Sequence, residues 1–229
     1  MALTGCQSRQ RMEPHLHASP YPGTQLWAVA PFLNESGVSI VDTARIADLF
    51  TEEVQQVDGI DAVPVNRVIL AMRQLNIAAV LSSSDATALI EALNVDGLVV
   101  GTVTAYDPYN PPTFGLAVQL FKPNLVPQAQ LDPRDLTRQA TGDVELGALN
   151  DVSPTAQAAG IFDARSERTR MWIDEYAIGR TPKDSAYGAE IFLVRKELYT
   201  KFVSYRRIGQ LLSAQHARVQ ALAQETRSR

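Results

Sequence analysis

The chain has 229 residues, 45% of them hydrophobic and 20% charged, with a net charge of −4. This is the make-up of an ordinary globular protein, and no run of about 18 apolar residues supplies a membrane-spanning helix. A single cysteine excludes an internal disulfide framework and a cysteine-rich zinc site, while leaving the compartment open. The charge is uneven. From Arg195 to Arg229 there are eight Lys and Arg against Glu197 and Glu225, so this segment is +6 and everything before it −10.

In chain order, the lone Cys6 comes first, preceded by Leu3, Thr4 and Gly5. This tetrad looks like the lipobox of bacterial lipoproteins, where small residues admit a peptidase to the bond before a lipid-modified cysteine. The resemblance implies that Cys6 carries a diacylglycerol and holds the rest of the chain to an envelope membrane. A secretory leader also has a charged start and an apolar stretch of roughly 7–15 residues, and Met1–Gly5 hold neither. Either the true start lies upstream of Met1 or Cys6 is a plain thiol. Residues 7–24 contain Pro14, Pro20, Pro22 and Gly23 without an apolar period, which predicts a flexible tether. His15 and His17 lie in it with only Glu13 nearby, short of the three or four ligands a metal site needs.

A domain is predicted over residues 26–213, behind the 1–25 lipobox and tether and ahead of a frayed helical tail at 214–229. Leu26–Phe32 is a short apolar run ended by Pro31, a buried strand, and Asn34–Gly37 is a turn cluster. Asp42 or Thr43 caps a helix with Ile46, Leu49, Phe50, Val54 and Val57 at helical spacing. Ile60–Val65 reads as an edge strand because of Pro64. Asn66 opens a helix to about Leu75, with Val68, Ile69, Met72 and Leu75 inward. Ser82-Ser83-Ser84-Asp85 has the form of a capping box, opening a helix on Ala86, Leu89, Ile90 and Leu93. Asp96-Gly97 turns into Leu98–Thr104, the strongest strand, with Gly115–Phe121 as its hairpin partner. Residues 122–160 lack periodicity and form an irregular excursion with a short strand at Gly142–Leu146. Ile161–Ala164 returns as a strand. Ser166 opens a helix with Met171, Trp172 and Tyr176 inward, stopped by Gly179. Asp184 or Ser185 starts one last helix with a stripe of Ile191, Val194, Leu198, Phe202, Tyr205, Ile208 and Leu212. Alternating strands and helices give an α/β (α+β) class, a three-layer-like sheet with packed helices and a long C-terminal helix.

Over residues 26–121 this order resembles a superfamily of envelope lipoproteins. Its members include the curli-secretion lipoprotein, the outer-membrane activators of penicillin-binding proteins and the amino-terminal domain of the Tol-system propeller protein. The residues carrying the likeness are Ala28–Phe32 with Asn34, Ser36 and Gly37, the Ala44–Val57 helix, the Ala86–Leu93 helix and the Leu93–Gly101 run. The whole is also similar to uncharacterised lipoproteins of planctomycete-like bacteria. The resemblance implies a lipid-anchored protein facing the periplasm, at the outer membrane, that scaffolds or activates a protein partner or forms a homo-oligomer. A channel-forming role is set aside because barrel strands need long alternation, and 122–160 is Pro-rich.

No nucleophile elbow, Walker loop, dinucleotide fingerprint or His-Glu-x-x-His occurs, so no catalytic residue, cofactor or metal is assigned and the chain is read as a non-enzyme. Glu52-Glu53 and Asp174-Glu175 are expected on solvated helix faces. The loop holding Tyr106, Asp107, Tyr109 and Asn110 with Pro108, Pro111 and Pro112 is the candidate partner-binding element. Stiff aromatics lose little entropy on contact, and the competing role for this loop is a rigid turn capping the core. Phe192, Tyr199, Phe202 and Tyr205 are expected in the core. The alternative function is a soluble binding module for nucleic acid or another anionic ligand on the basic last helix, although no recognition fold surrounds it.

Overall fold

The computed structural model describes residues 13–123, 154–181 and 185–227. Strand β1 (Gln25–Val29) lies at the centre of the parallel part of the sheet, between β3 (Ile60–Ala62) and β4 (Gly97–Asp107). Beyond β4 the sheet turns antiparallel through β5 (Thr113–Phe121) and β6 (Ala156–Asp163). The order is β3-β1-β4-β5-β6, with the two-residue strand β2 (Leu33–Asn34) running beside β4 past the end of β1.

The predicted first strand is thus two strands, and Pro31 is the reason. Val29 pairs with Val99 and Leu33 with Thr102, so one extra residue is accommodated around a proline that has no N–H to donate. Ala30 N–H and Glu35 N–H donate to the Val99 and Val103 carbonyls, each at 2.9 Å, on either side of the interruption. Phe32 turns under the sheet there. A Cβ on Gly101 would sit 2.9 Å from its ring, so the glycine in the Val-Val-Gly strand makes room for Phe32.

Strand alternation separates two cores. Trp27, Val29, Val99 and Val103 face one side, covered by α1 (Thr43–Val54), α4 (Glu167–Ala177), α5 (Ile191–Val194) and α6 (Lys196–Arg227). Ala28, Ala30 and Leu98 face the other, covered by α2 (Val65–Gln74) and α3 (Ser83–Leu93). The class is α/β in three layers, as predicted. A fully buried Phe50 or Phe202 contributes about 1.5–3 kcal/mol by removal from water. The outer face of β5 and β6, with Gln119, Gln157, Ala159 and Ile161, carries no helix among the described residues and is exposed.

Asn66 does not open α2, which starts at Val65 behind Pro64 without a side-chain cap, and Leu75 is exposed rather than inward; other local signals behave as their chemistry requires. Asp42 caps α1 by accepting from Arg45 N–H at 2.9 Å. Ser82 and Asp85 form both halves of the capping box at α3. β3 is an edge strand, and Gly179, at φ 75°, follows α4.

Further expectations are corrected. Strand β6 begins at Ala156, inside the expected excursion, because Ala and Gln alternate without a hydrophobic signal. Met171 is 65% exposed and Ile173 takes its place inward. The last helix is broken: Gly188–Glu190 is a 3-10 turn, α5 is four residues, and Arg195 is extended at φ −102°, ψ 110° before α6 starts. The break shifts the helical phase, so Val194 is exposed while Tyr199, Val203 and Leu211 join Phe202, Ile208 and Leu212 in the core. α6 itself runs to Arg227, with Gln215 buried. Gly142–Leu146 and Asp184 lie outside the described residues.

Candidate functional site

The expected partner-binding loop lies between β4 and β5, and its four residues divide into two roles. Tyr106 belongs to β4 and packs edge-on against Phe114, ring centroids 5.8 Å apart. Burial, then the Glu197 charge, pushes its phenol above the ordinary range. Asp107 accepts from the Tyr109 N–H at 3.1 Å, a side-chain turn that fixes the loop's start. Tyr106 and Asp107 are therefore supports. Tyr109 is 76% exposed and Asn110 is exposed beside it, so these two face solvent. At the loop's far end the Pro112 carbonyl accepts from Ala164 N–H at 3.0 Å, joining it to the end of β6.

Below the loop, the starts of α1 and α6 meet. Ile40, Asp42, Arg45, Tyr106, Lys196 and Glu197 line a cavity of about 50 Å³, too small for an organic ligand of ordinary size. With exposed Ile40 and Tyr109, this end of the sheet presents aromatic, aliphatic and mixed-charge groups.

Glu52 is solvated as expected and pairs with Lys201 at 2.6 Å. Glu53 is a correction. It is buried, its Oε2 has no hydrogen-bond partner, and burial pushes its carboxyl up despite the neighbouring Tyr176 hydroxyl and the Arg180 charge. Arg180 stacks over the Tyr176 ring at 4.3 Å and the Tyr205 ring at 4.9 Å. Sequence reasoning missed this cluster because an acidic pair on a helix reads as surface, and only the helical phase fixed by Phe50 and Val54 turns the second acid inward.

The basic residues of α6 do not form one free stripe. Lys201 pairs with Glu52, and Arg206 lies over Trp172 at 4.3 Å. Arg207 is 3% exposed, stacks on Phe162 at 4.6 Å and hydrogen-bonds Gln210. Burial, then the neighbouring Arg206 charge, lowers its guanidinium to about 10. Of these three, Lys201 meets an acidic partner, while Arg206 and Arg207 lie on aromatic rings.

His15 and His17 are not free. Their rings are 6.1 Å apart against Tyr205, and no group of three or more metal-ligating residues occurs among the described residues. Cys6 lies outside the described residues. No helix among the described residues is long and apolar enough to cross a membrane.

No protein-family model matches the chain, and no curated protein is similar to it in sequence. Among solved structures it is similar to the C-terminal domain of LpoB from Salmonella enterica, at 10% identity and a TM-score of 0.42 over 62% of this chain and 85% of that one. It is similar to lipoprotein GNA1162 from Neisseria meningitidis, at 17% identity and 0.35 over 61% and 80%. A hypothetical protein from Chlamydia trachomatis is similar over 84% and 99%, at 12% identity and 0.41. Likenesses of this strength assign neither a family nor an activity.

Proposed function

We propose that this is a lipid-anchored protein of the cell envelope that binds and scaffolds or activates a protein partner, without catalysis of its own. The observation that carries the reading is the Leu3-Thr4-Gly5-Cys6 tetrad, a short segment ahead of a folded α/β body. The exposed Tyr109 and Asn110 at the far side of a rigid loop supply the contact point. Two supports, Tyr106 and Asp107, hold that loop in one shape, so little ordering entropy is lost on contact.

The test is expression behind a lipoprotein leader, with metabolic incorporation of an alkyne fatty acid. Label on the wild type and none on Cys6→Ala is the expected result; label absent from both overturns the anchor. For the partner, a photo-crosslinking residue at Tyr109 should yield a discrete adduct in native envelope, and the same residue at the exposed Asp61 on edge strand β3 should not. Equal adducts at both positions overturn the loop as the contact point.

A further inference from the structure

We infer that residues 15–24, ahead of β1, are a releasable strap that docks on α6 through His17 and sets how far the body stands from its anchor. The segment expected to be a free tether is held at three places. His15 Nδ1 meets the Tyr205 hydroxyl at 2.9 Å, and its carbonyl accepts from Arg180 at 2.9 Å. His17 stacks on the Tyr205 ring at 4.2 Å, with Nε2 3.1 Å from the Tyr205 carbonyl. Its own carbonyl accepts from Asp58 N–H at 2.9 Å, and Ser19 N–H donates to the Asp58 carbonyl at 2.8 Å, a parallel bridge just ahead of β3. Tyr21 donates to Gln215 and lies under Lys122, whose Nζ is 3.4 Å from the ring centroid.

The socket is specific. α6 carries a glycine at 209, one turn after Tyr205, and a Cβ there would come within 2.6 Å of His17 Cε1. A glycine inside a long helix weakens it relative to alanine, and here it opens the space the imidazole fills. The strap is also separable from the fold. Leu16 is 44% exposed, and neither hydrophobic core contains a residue from 15–24. Hydrogen bonds, one aromatic stack and the Lys122–Tyr21 contact hold it, and these can be exchanged for water without opening either core.

Docking changes reach. The lengthening rests on the lipidated Cys6 proposed above; the docking itself does not. With the strap down, the eight residues Gln7–Pro14 separate Cys6 from the body, spanning at most about 29 Å. With it released, the 18 residues Gln7–Thr24 do so, spanning at most about 65 Å.

The experiment uses the chain from Cys6 to Arg229, with Cys6 coupled to a maleimide lipid, so that natural lipidation is not required. Gly209→Leu fills the socket with a good helix former, and His17→Ala empties it from the strap side. In both, amide exchange at Ser19 and Asp58 should rise at least tenfold, while Ala30 and Val63, bonded within the sheet, keep their protection. Neutron reflectometry on a supported bilayer should then show the body further from the membrane in both variants. Unchanged exchange at Ser19 and Asp58 overturns the docking. Faster exchange with an unchanged separation overturns the control of reach. Absence of fatty-acid label on Cys6 in cells overturns the anchor and leaves the docking result standing.

Discussion

On the α2/α3 side of the sheet the interior is aliphatic: Ala28, Ala30, Val68, Met72, Leu89, Ile90 and Leu98, with Phe121 at its margin. On the α1/α6 side, Glu53, Arg207, Ser204, Thr200 and Gln215 are buried alongside Trp27, Phe50, Phe202 and Tyr176. The aliphatic side is built from chain-adjacent units between residues 26 and 121. The polar side is where distant segments return. Tyr199 donates to the Phe162 carbonyl at 2.9 Å, and Gln215 donates to Thr155 at 3.0 Å. Directional bonds between such segments fix which of several similar packings is adopted, at a desolvation cost the aliphatic side avoids.

The sharpest way to break this contrast is to cut one large residue from each side. Phe202→Ala removes a ring that touches Phe162, Tyr176 and Tyr199 and should cost about 3–5 kcal/mol in urea denaturation, the upper part of the range for core truncations. Leu89→Ala on the aliphatic side should cost about 2–3 kcal/mol, since small neighbours can close around it. Equal losses would show that the two sides do not differ in rigidity.

Glu53→Gln tests the polar side directly. Burial raises the Glu53 carboxyl above its ordinary 4.5, so the folded chain keeps a proton that the unfolded chain releases. The wild type therefore loses stability as pH rises from about 4.5 through the folded midpoint, and the variant does not. At pH 8 the variant should be the more stable by about 1–2 kcal/mol. A parallel pH profile for the two proteins overturns this. On the aliphatic side, Ser82→Ala should cost about 1 kcal/mol. The Asp85 carboxyl, held low chiefly by its bond with the Ser82 side chain, should move back up. In the wild type that contribution is present above about pH 3.8 and fades as pH falls through the lower, folded midpoint.

His17 gives a smaller, titratable signal. Burial lowers its imidazole below 6.5, outweighing the bond to the Tyr205 backbone, while His15, Arg180 and Arg206 repel its charged form. A depressed midpoint means docking is favoured above the free value and weakens as pH falls through the docked one. Proton resonances of His17 should titrate below 6.5 in the wild type and return toward it in Gly209→Leu. Smallest in stability is Tyr109→Ala, expected within about 0.5 kcal/mol of wild type while abolishing the partner adduct of a photo-crosslinking residue placed at the neighbouring, exposed Asn110; a retained adduct removes Tyr109 from the contact.

Periodicity and capping made the aliphatic half legible. Val68, Leu89 and Ile90 fall at helical spacing, Ser82 and Asp85 mark a helix start, and Val99 with its neighbours marks a strand. The polar half was harder to read for a physical reason in each case. Ala156–Ala159 pairs through its backbone, which small side chains do not announce. Arg195 breaks a stripe whose apolar spacing is continuous, because Val194 and Leu198 satisfy a helix of either phase. Glu53 and Arg207 look like surface residues, and only the final docking of α1 and α6 buries them. The Tyr106–Asn110 loop was found from composition, but which tyrosine supports and which projects depended on where β4 ends.

The place of β1 in the strand order has a mechanical consequence. A load entering at the amino end and passing the strap reaches the sheet at Gln25, in a strand paired in parallel with β3 on one side and β4 on the other. Tension along β1 shears both ladders at once, whereas tension across the β5–β6 pair opens one bond after another. A chain hung by its amino end is gripped at a strand that must shear along both of its edges. An optical trap pulling between Cys6 and Gln119 should therefore record a higher rupture force than one pulling Gln157 away from Gln119.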